Sequence, residues 1–176
     1  MNTKKIAYGG FFIALGFLFP QIFHLIGGPL AGQTFLPMHI PILLAGLLLG
    51  PWIGLFVGLS VPIISHLLTG MPPIPLLYIM VFELIAYGFL AGLLHKTFHL
   101  HYFISLLFAM IGGRIVSGLA FFVAANLLHI GFPPNLSIIG SIITGLPGII
   151  IQILFIPILM ISLKKGGFLQ YESPSR

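Results

Sequence analysis

The chain lacks cysteine entirely and carries almost no charge. Without cysteine there is no disulfide framework, no Cys-ligated zinc and no thiol nucleophile. Seven Lys or Arg and two Glu are the only charged residues among 176, giving a formal balance of +5. At 5% this is far below the roughly 25% of an average soluble domain. Nine charges cannot clothe the surface of a soluble globule, and a disordered chain would be polar rather than 59% apolar. The pI near 9.8 does not point to nucleic acid, because most of the cations sit at the ends of apolar runs. No G-x-x-x-x-G-K-[ST] stretch occurs, which removes the common phosphate-loop route to ATP, and no H-E-x-x-H occurs, which removes a zincin-type protease.

What is abundant is apolar sequence, cut by glycine and proline. A membrane-spanning helix needs about 20 mostly apolar residues. Six candidate segments lie between the breakers: about 6–26, 36–49, 52–68, 74–95, 101–129 and 136–163. The chain therefore reads as all-α and membrane-integral, one domain over residues 1–176. The Gly-rich stretch 27–34 reads as a loop. The second and third segments are short and contain Pro41 and Pro62. Each proline frees a backbone carbonyl, so both helices are expected inside the bundle or against a cavity.

Lys4 and Lys5 precede the first segment, Lys96 lies between the fourth and fifth, and Lys164 and Lys165 follow the sixth. With an even number of spans, all five fall on one side. The positive-inside rule then places both termini and the Lys96 loop in the cytoplasm. A cleaved signal peptide is the rival reading of the N-terminus; its removal would leave five spans and break this charge pattern.

Two charges fall inside spans, Glu83 and Arg114. A charge at mid-bilayer costs at least about 2.5–3.5 kcal/mol, so each needs a partner or a wet cavity. Glu83 lies 15 residues before residue 98, the centre of the intervening turn, and Arg114 lies 16 after it. In antiparallel neighbours both stand roughly 20 Å from that turn. Gln152 is expected at a similar level, making a buried Glu83–Arg114–Gln152 cluster. Such a cluster is either a structural ion pair that sets helix register or the floor of a polar pocket. Polar groups near the opposite, outer end are candidates to line that pocket: Gln33, His39, Thr69, Tyr78, Asn126 and Asn135. Each can instead be an interfacial residue at headgroup level.

Other constellations are weaker. Gly58-Leu59-Ser60-Val61 lacks the second glycine of a rhomboid-type Gly-x-Ser-Gly, and His66 follows on the same helix, so an intramembrane hydrolase has little support. His95, His99 and His101 flank Lys96 with no carboxylate nearby, a poor metal site. No metal or other cofactor is expected. Gly10 and Ala14, four apart, offer a close-approach face to another membrane helix.

One set of motifs is more specific. Phe35-Leu36-Pro37-Met38-His39-Ile40-Pro41 runs through Gly50-Pro51-Trp52, and Thr69-Gly70-Met71-Pro72-Pro73 and Phe82-Glu83-Leu84-Ile85-Ala86-Tyr87-Gly88 follow. Over nearly its whole length the chain resembles the substrate-binding S component of energy-coupling factor (ECF) vitamin transporters. The resemblance implies a six-helix bundle in a prokaryotic cell membrane with both termini cytoplasmic. It implies capture of a vitamin or related micronutrient from outside, with no ATPase in the chain itself. The partners would be a transmembrane coupling subunit and two cytoplasmic ATPases. It also implies that Gly10 and Ala14 dock on the coupling subunit. The ligand site would form around Gln33, Thr69 and Asn135, with Tyr78, Glu83, Arg114, Asn126 and Gln152. Metal-carrying members use a free N-terminal Met-His, whereas Met38-His39 is internal, so that subgroup does not fit. Pantothenate is the first candidate, because a buried guanidinium suits a carboxylate; hydroxymethylpyrimidine and cobalamin are the others. A structural accessory subunit, with the Glu83–Arg114 pair as a staple, is the remaining alternative.

Overall fold

The computed structural model describes residues 3–132 and 138–166, and every element among them is helical. The helices are α1 (Thr3–Phe35), α2 (His39–Leu49), α3 (Pro51–Thr69), α4 (Leu76–Gly92), α5 (Tyr102–Phe122) and α6 (Ile138–Lys165). Single π-helical turns, Leu93–Thr97 and Val123–Leu127, extend α4 and α5. All but α2 are long and apolar enough to cross a bilayer. Their outward faces carry large exposed side chains such as Phe11, Phe56, Phe82, Phe108 and Ile150. In water this would be an untenable surface; in lipid it is the expected one.

The first helix departs from the sequence expectation. Residues 27–34 do not form an open loop; helical structure continues to Phe35, broken by one sharp reversal at Gly28 (φ 65°, ψ −167°). The positive φ is a conformation that glycine adopts at low cost. Beyond it the chain folds back on itself. The Phe23 and Phe35 rings lie 5.4 Å apart, and Gly32 packs directly on the His24 ring. In an unbroken helix residues 12 and 8 apart would be separated by about 18 and 12 Å. The segment after Gly28 is therefore a short re-entrant arm, and it delivers Pro37, Met38 and His39 into the interior, where all three are buried.

That delivery explains α2. Eleven residues rise only about 16 Å, half the hydrocarbon thickness. Residues His39 to Leu47 are buried without exception, so α2 is the core of the bundle rather than a lipid-facing span. Pro41 and Pro62 are both fully buried, as expected for prolines whose freed carbonyls must be screened from lipid.

Glycines let α2, α3 and α4 approach backbone to backbone. Along α3, Gly50, Gly54 and Gly58 recur every four residues, facing Gly92, Gly88 and Leu84 of the antiparallel α4. A Cβ on Gly54 would strike the Gly88 carbonyl, one on Gly58 the Leu84 carbonyl, and one on Gly92 the backbone at Gly50-Pro51. Gly46 of α2 meets the same Gly88 carbonyl. Lipid offers no hydrophobic drive between helices, so this close packing is a main source of their association.

The seam makes a prediction. Gly88→Ala should destabilise the detergent-solubilised protein by about 1–3 kcal/mol or more through overpacking against backbone. Gly118→Ala, where a Cβ meets nothing within 4 Å, should leave the thermal midpoint unchanged.

Candidate functional site

The interior polar residues gather at one depth. His39 opens α2 eleven residues from Gly50, and Glu83 lies nine residues from Gly92, which packs on Gly50. The two side chains thus stand level, at about 14–16 Å above that contact. Arg114 of α5 meets them: its Nη1 lies 2.9 Å from Glu83 Oε1. His39 Nε2 approaches the same oxygen at 3.7 Å. The Tyr87 ring, one turn from Glu83, lies edge-on to the His39 ring at 5.2 Å and 63°. Ser117, one turn along from Arg114, and the Tyr87 hydroxyl also reach the Glu83 carboxylate. Glu83 is 5% and His39 2% exposed. This is an ion pair in the bundle interior, with a histidine at its shoulder in the place the sequence suggested for Gln152.

Above the trio lies a cavity of about 310 Å³. Its walls are the fold-back of α1 (Pro20, His24, Pro29, Leu30, Gly32, Gln33), the entry to α2 (Leu36 to His39), Ser65 of α3, and Met71 to Pro73 of the α3–α4 loop. Leu76, Met80 and Glu83 of α4, Arg114 of α5 and Gly140, Ser141 and Thr144 of α6 complete it. The lining is mostly apolar with a few convergent polar groups, the usual character of a small-molecule site. Gly145 lets α6 pass close to Arg114 Nη2, which a Cβ there would approach to 3.5 Å.

Not every donor in the trio is used within the protein. Arg114 Nη1 is engaged by Glu83. Arg114 Nε and Nη2, and both ring nitrogens of His39, are buried without a hydrogen-bond partner in the protein. Leaving such groups unmade costs about 1–3 kcal/mol each, more when charged, which is the pattern of a site built for something else to complete.

The α3–α4 loop is held over the cavity by local bonds. Thr69 Oγ1 donates to the Ser65 carbonyl at 2.7 Å and accepts from the Met71 N–H at 3.3 Å. His66 Nδ1 lies 2.8 Å from the Pro72 carbonyl. With that nitrogen turned to the loop, and Ser60 six residues earlier on the same helix, no Ser–His pair forms.

Of the candidate binding residues, Gln33, His39, Glu83 and Arg114 come together around the cavity. Thr69 stands behind its loop. Tyr78 is exposed at the start of α4. Asn126 is exposed and donates to the Phe122 carbonyl of its own helix at 3.1 Å. Gln152 is buried on α6 but is not part of the lining. Asn135 lies outside the described residues. His24, Ser141 and Thr144 line the cavity without having been singled out. Their one sequence signal is position, near the outer ends of their helices. Among the described residues no group of three His, Cys, Asp or Glu is placed to hold a metal. His95 Nδ1 faces the Leu100 carbonyl at 2.8 Å, and the His101 ring lies against Tyr102 at 4.1 Å. On α1, Gly10 and Ala14 are exposed, whereas Gly9 and Gly16 pack inward on Ile53 and Val61 of α3.

A buried ion pair is costly to break from one side. Glu83→Leu, which strands the Arg114 guanidinium, should destabilise the protein by about 3–5 kcal/mol. Glu83→Leu combined with Arg114→Met should recover most of that loss. Thermal unfolding in detergent, read as a double-mutant cycle, checks both.

The chain matches no curated protein and no solved structure. A family match covers nearly the whole bundle: residues 4–160 fit the family described as "ECF transporter, substrate-specific component". With that span and an all-helical, lipid-faced fold around one polar cavity, the chain belongs to the substrate-specific components of ECF transporters.

Proposed function

We propose that this chain is the membrane-embedded receptor of an ATP-driven importer and that the cavity above Glu83 and Arg114 holds its cargo, a water-soluble vitamin or related micronutrient. One observation carries the reading. The cavity lies at the end of the bundle formed by the α1 fold-back, the α3–α4 loop and the start of α6. Lys4, Lys5, Lys96, Lys164 and Lys165 all belong to the opposite end. By the positive-inside rule the lysine end is cytoplasmic, so the cavity opens outward, where a scarce nutrient is met. Both termini are then inside a prokaryotic cell membrane.

Gln33, His39, Glu83 and Arg114 are the residues we assign to the ligand. Pantothenate remains the first candidate, since it couples a carboxylate for Arg114 to a chain small enough for the cavity. The ATPase activity belongs to partners: a transmembrane coupling subunit and two cytoplasmic ATPases. The exposed small residues Gly10 and Ala14 support α1 as the face that meets the coupling subunit, because small side chains four apart allow close helix contact.

Two outcomes are expected. Mass spectrometry of the gently purified protein should find one small molecule in near-stoichiometric amount; a consistently empty protein would favour an accessory-subunit role. Gly10→Leu should keep that molecule bound yet abolish uptake in cells that also express the partner subunits. Loss of binding in Gly10→Leu would count against the docking role.

A further inference from the structure

The unused donors at the cavity floor say more about the ligand than its size does. The Arg114 guanidinium presents Nη1 to Glu83 and turns an unpartnered Nε and Nη2 elsewhere. Those two nitrogens form one edge of a planar fork, the geometry that receives both oxygens of a carboxylate. Glu83 fixes the fork from one side, so the free edge is oriented before any ligand arrives. Electroneutrality then becomes a constraint. Glu83 and Arg114 cancel each other, and a ligand carboxylate adds one uncompensated negative charge to an interior site. The groups facing this point are His24 from α1, His39 from α2, Glu83 and Tyr87 from α4, and Arg114 from α5. The α6 wall contributes Ser141 and Thr144, which do not titrate. Of these, His39 is buried, has both ring nitrogens unpartnered, and stands 3.7 Å from Glu83 Oε1.

We propose that the site takes a ligand bearing a carboxylate, seated on the Nε–Nη2 edge of Arg114, and that one proton from water enters with it and resides on His39. The imidazolium pairs with Glu83 as Arg114 becomes shared between two carboxylates, and the filled site is again neutral. This rests on the cavity being the cargo site, as proposed above. Linkage sets the sign: when the bound state holds an extra proton, affinity is greatest at low pH and is lost as pH rises.

The test uses the full-length protein in nanodiscs and matched acid and neutral probes: pantothenate with pantothenol, biotin with biotinamide, nicotinate with nicotinamide. Any acidic molecule that co-purifies joins the panel with its amide. For the acid that binds, affinity should exceed that of its neutral counterpart by about 100-fold, the effect of two charge-assisted hydrogen bonds. Calorimetry in buffers of different ionisation enthalpy should report uptake of about one proton per ligand, with affinity falling by up to about tenfold per pH unit. In His39→Gln the uptake should drop to near zero and the pH dependence should flatten. Equal affinity for acid and neutral probes, an acid bound without proton uptake, or uptake that persists in His39→Gln overturns the inference. A retained ligand with no acidic group also overturns it while leaving the cargo site standing; a protein that binds no small molecule at all removes both.

Discussion

A carboxylate in the interior of a lipid-embedded bundle must be paired, and the rest of this structure is arranged around that requirement. Glu83 sits where water does not reach freely, and the Arg114 guanidinium at 2.9 Å is what makes its charge tolerable. The pair ties α4 to α5 at one depth. It also determines what else can stand there, since a neighbour must be polar yet satisfied. His39 fulfils that role only because the chain reverses at Gly28 and the re-entrant arm carries the start of α2 down to the level of the pair. Had α2 begun at the membrane surface, as a full span would, the histidine would be near headgroups and the cavity would have no floor.

The glycine seam is the second condition. Gly46, Gly54, Gly58, Gly88 and Gly92 bring three helices into backbone contact and so hold α2 in the centre of the bundle. The seam lies below the pair and the cavity above it. One half of the molecule is thus packed without gaps while the other is held open by the α1 fold-back and by the loop that Thr69 and His66 anchor. A rigid base beneath an open receptor end suits a protein that must hold a ligand and still present a constant surface on α1.

Much of this was legible in the chain, and the limits have physical causes. Apolar runs and lysine placement disclosed the helical, membrane-integral class. Counting residues from the α4–α5 turn placed Glu83 opposite Arg114, because helical rise is regular and the turn is short. The same counting failed for Gln152, since level is not direction: that side chain is buried on α6 away from the cavity lining. It failed for residues 27–34 because glycine and proline mark a break without saying which way the chain leaves it. The four-residue glycine spacing in α3 and α4 stood in the sequence, yet small residues were singled out only on α1. Which small-residue face meets a neighbour in the same chain, and which is left for a partner, depends on packing that no local pattern encodes.

The account's central claim is that the ion pair is the floor of a binding site and not only a staple between α4 and α5. Arg114→Lys separates the two roles. An ammonium can still neutralise Glu83, but it cannot offer a second, forked edge to a ligand. The direct measurement compares ligand retention by the purified variant with its thermal midpoint. The account predicts a midpoint within a few degrees of the parent measured free of ligand, together with at least about a tenfold loss of affinity for the retained molecule. Full retention of the ligand by Arg114→Lys would contradict it.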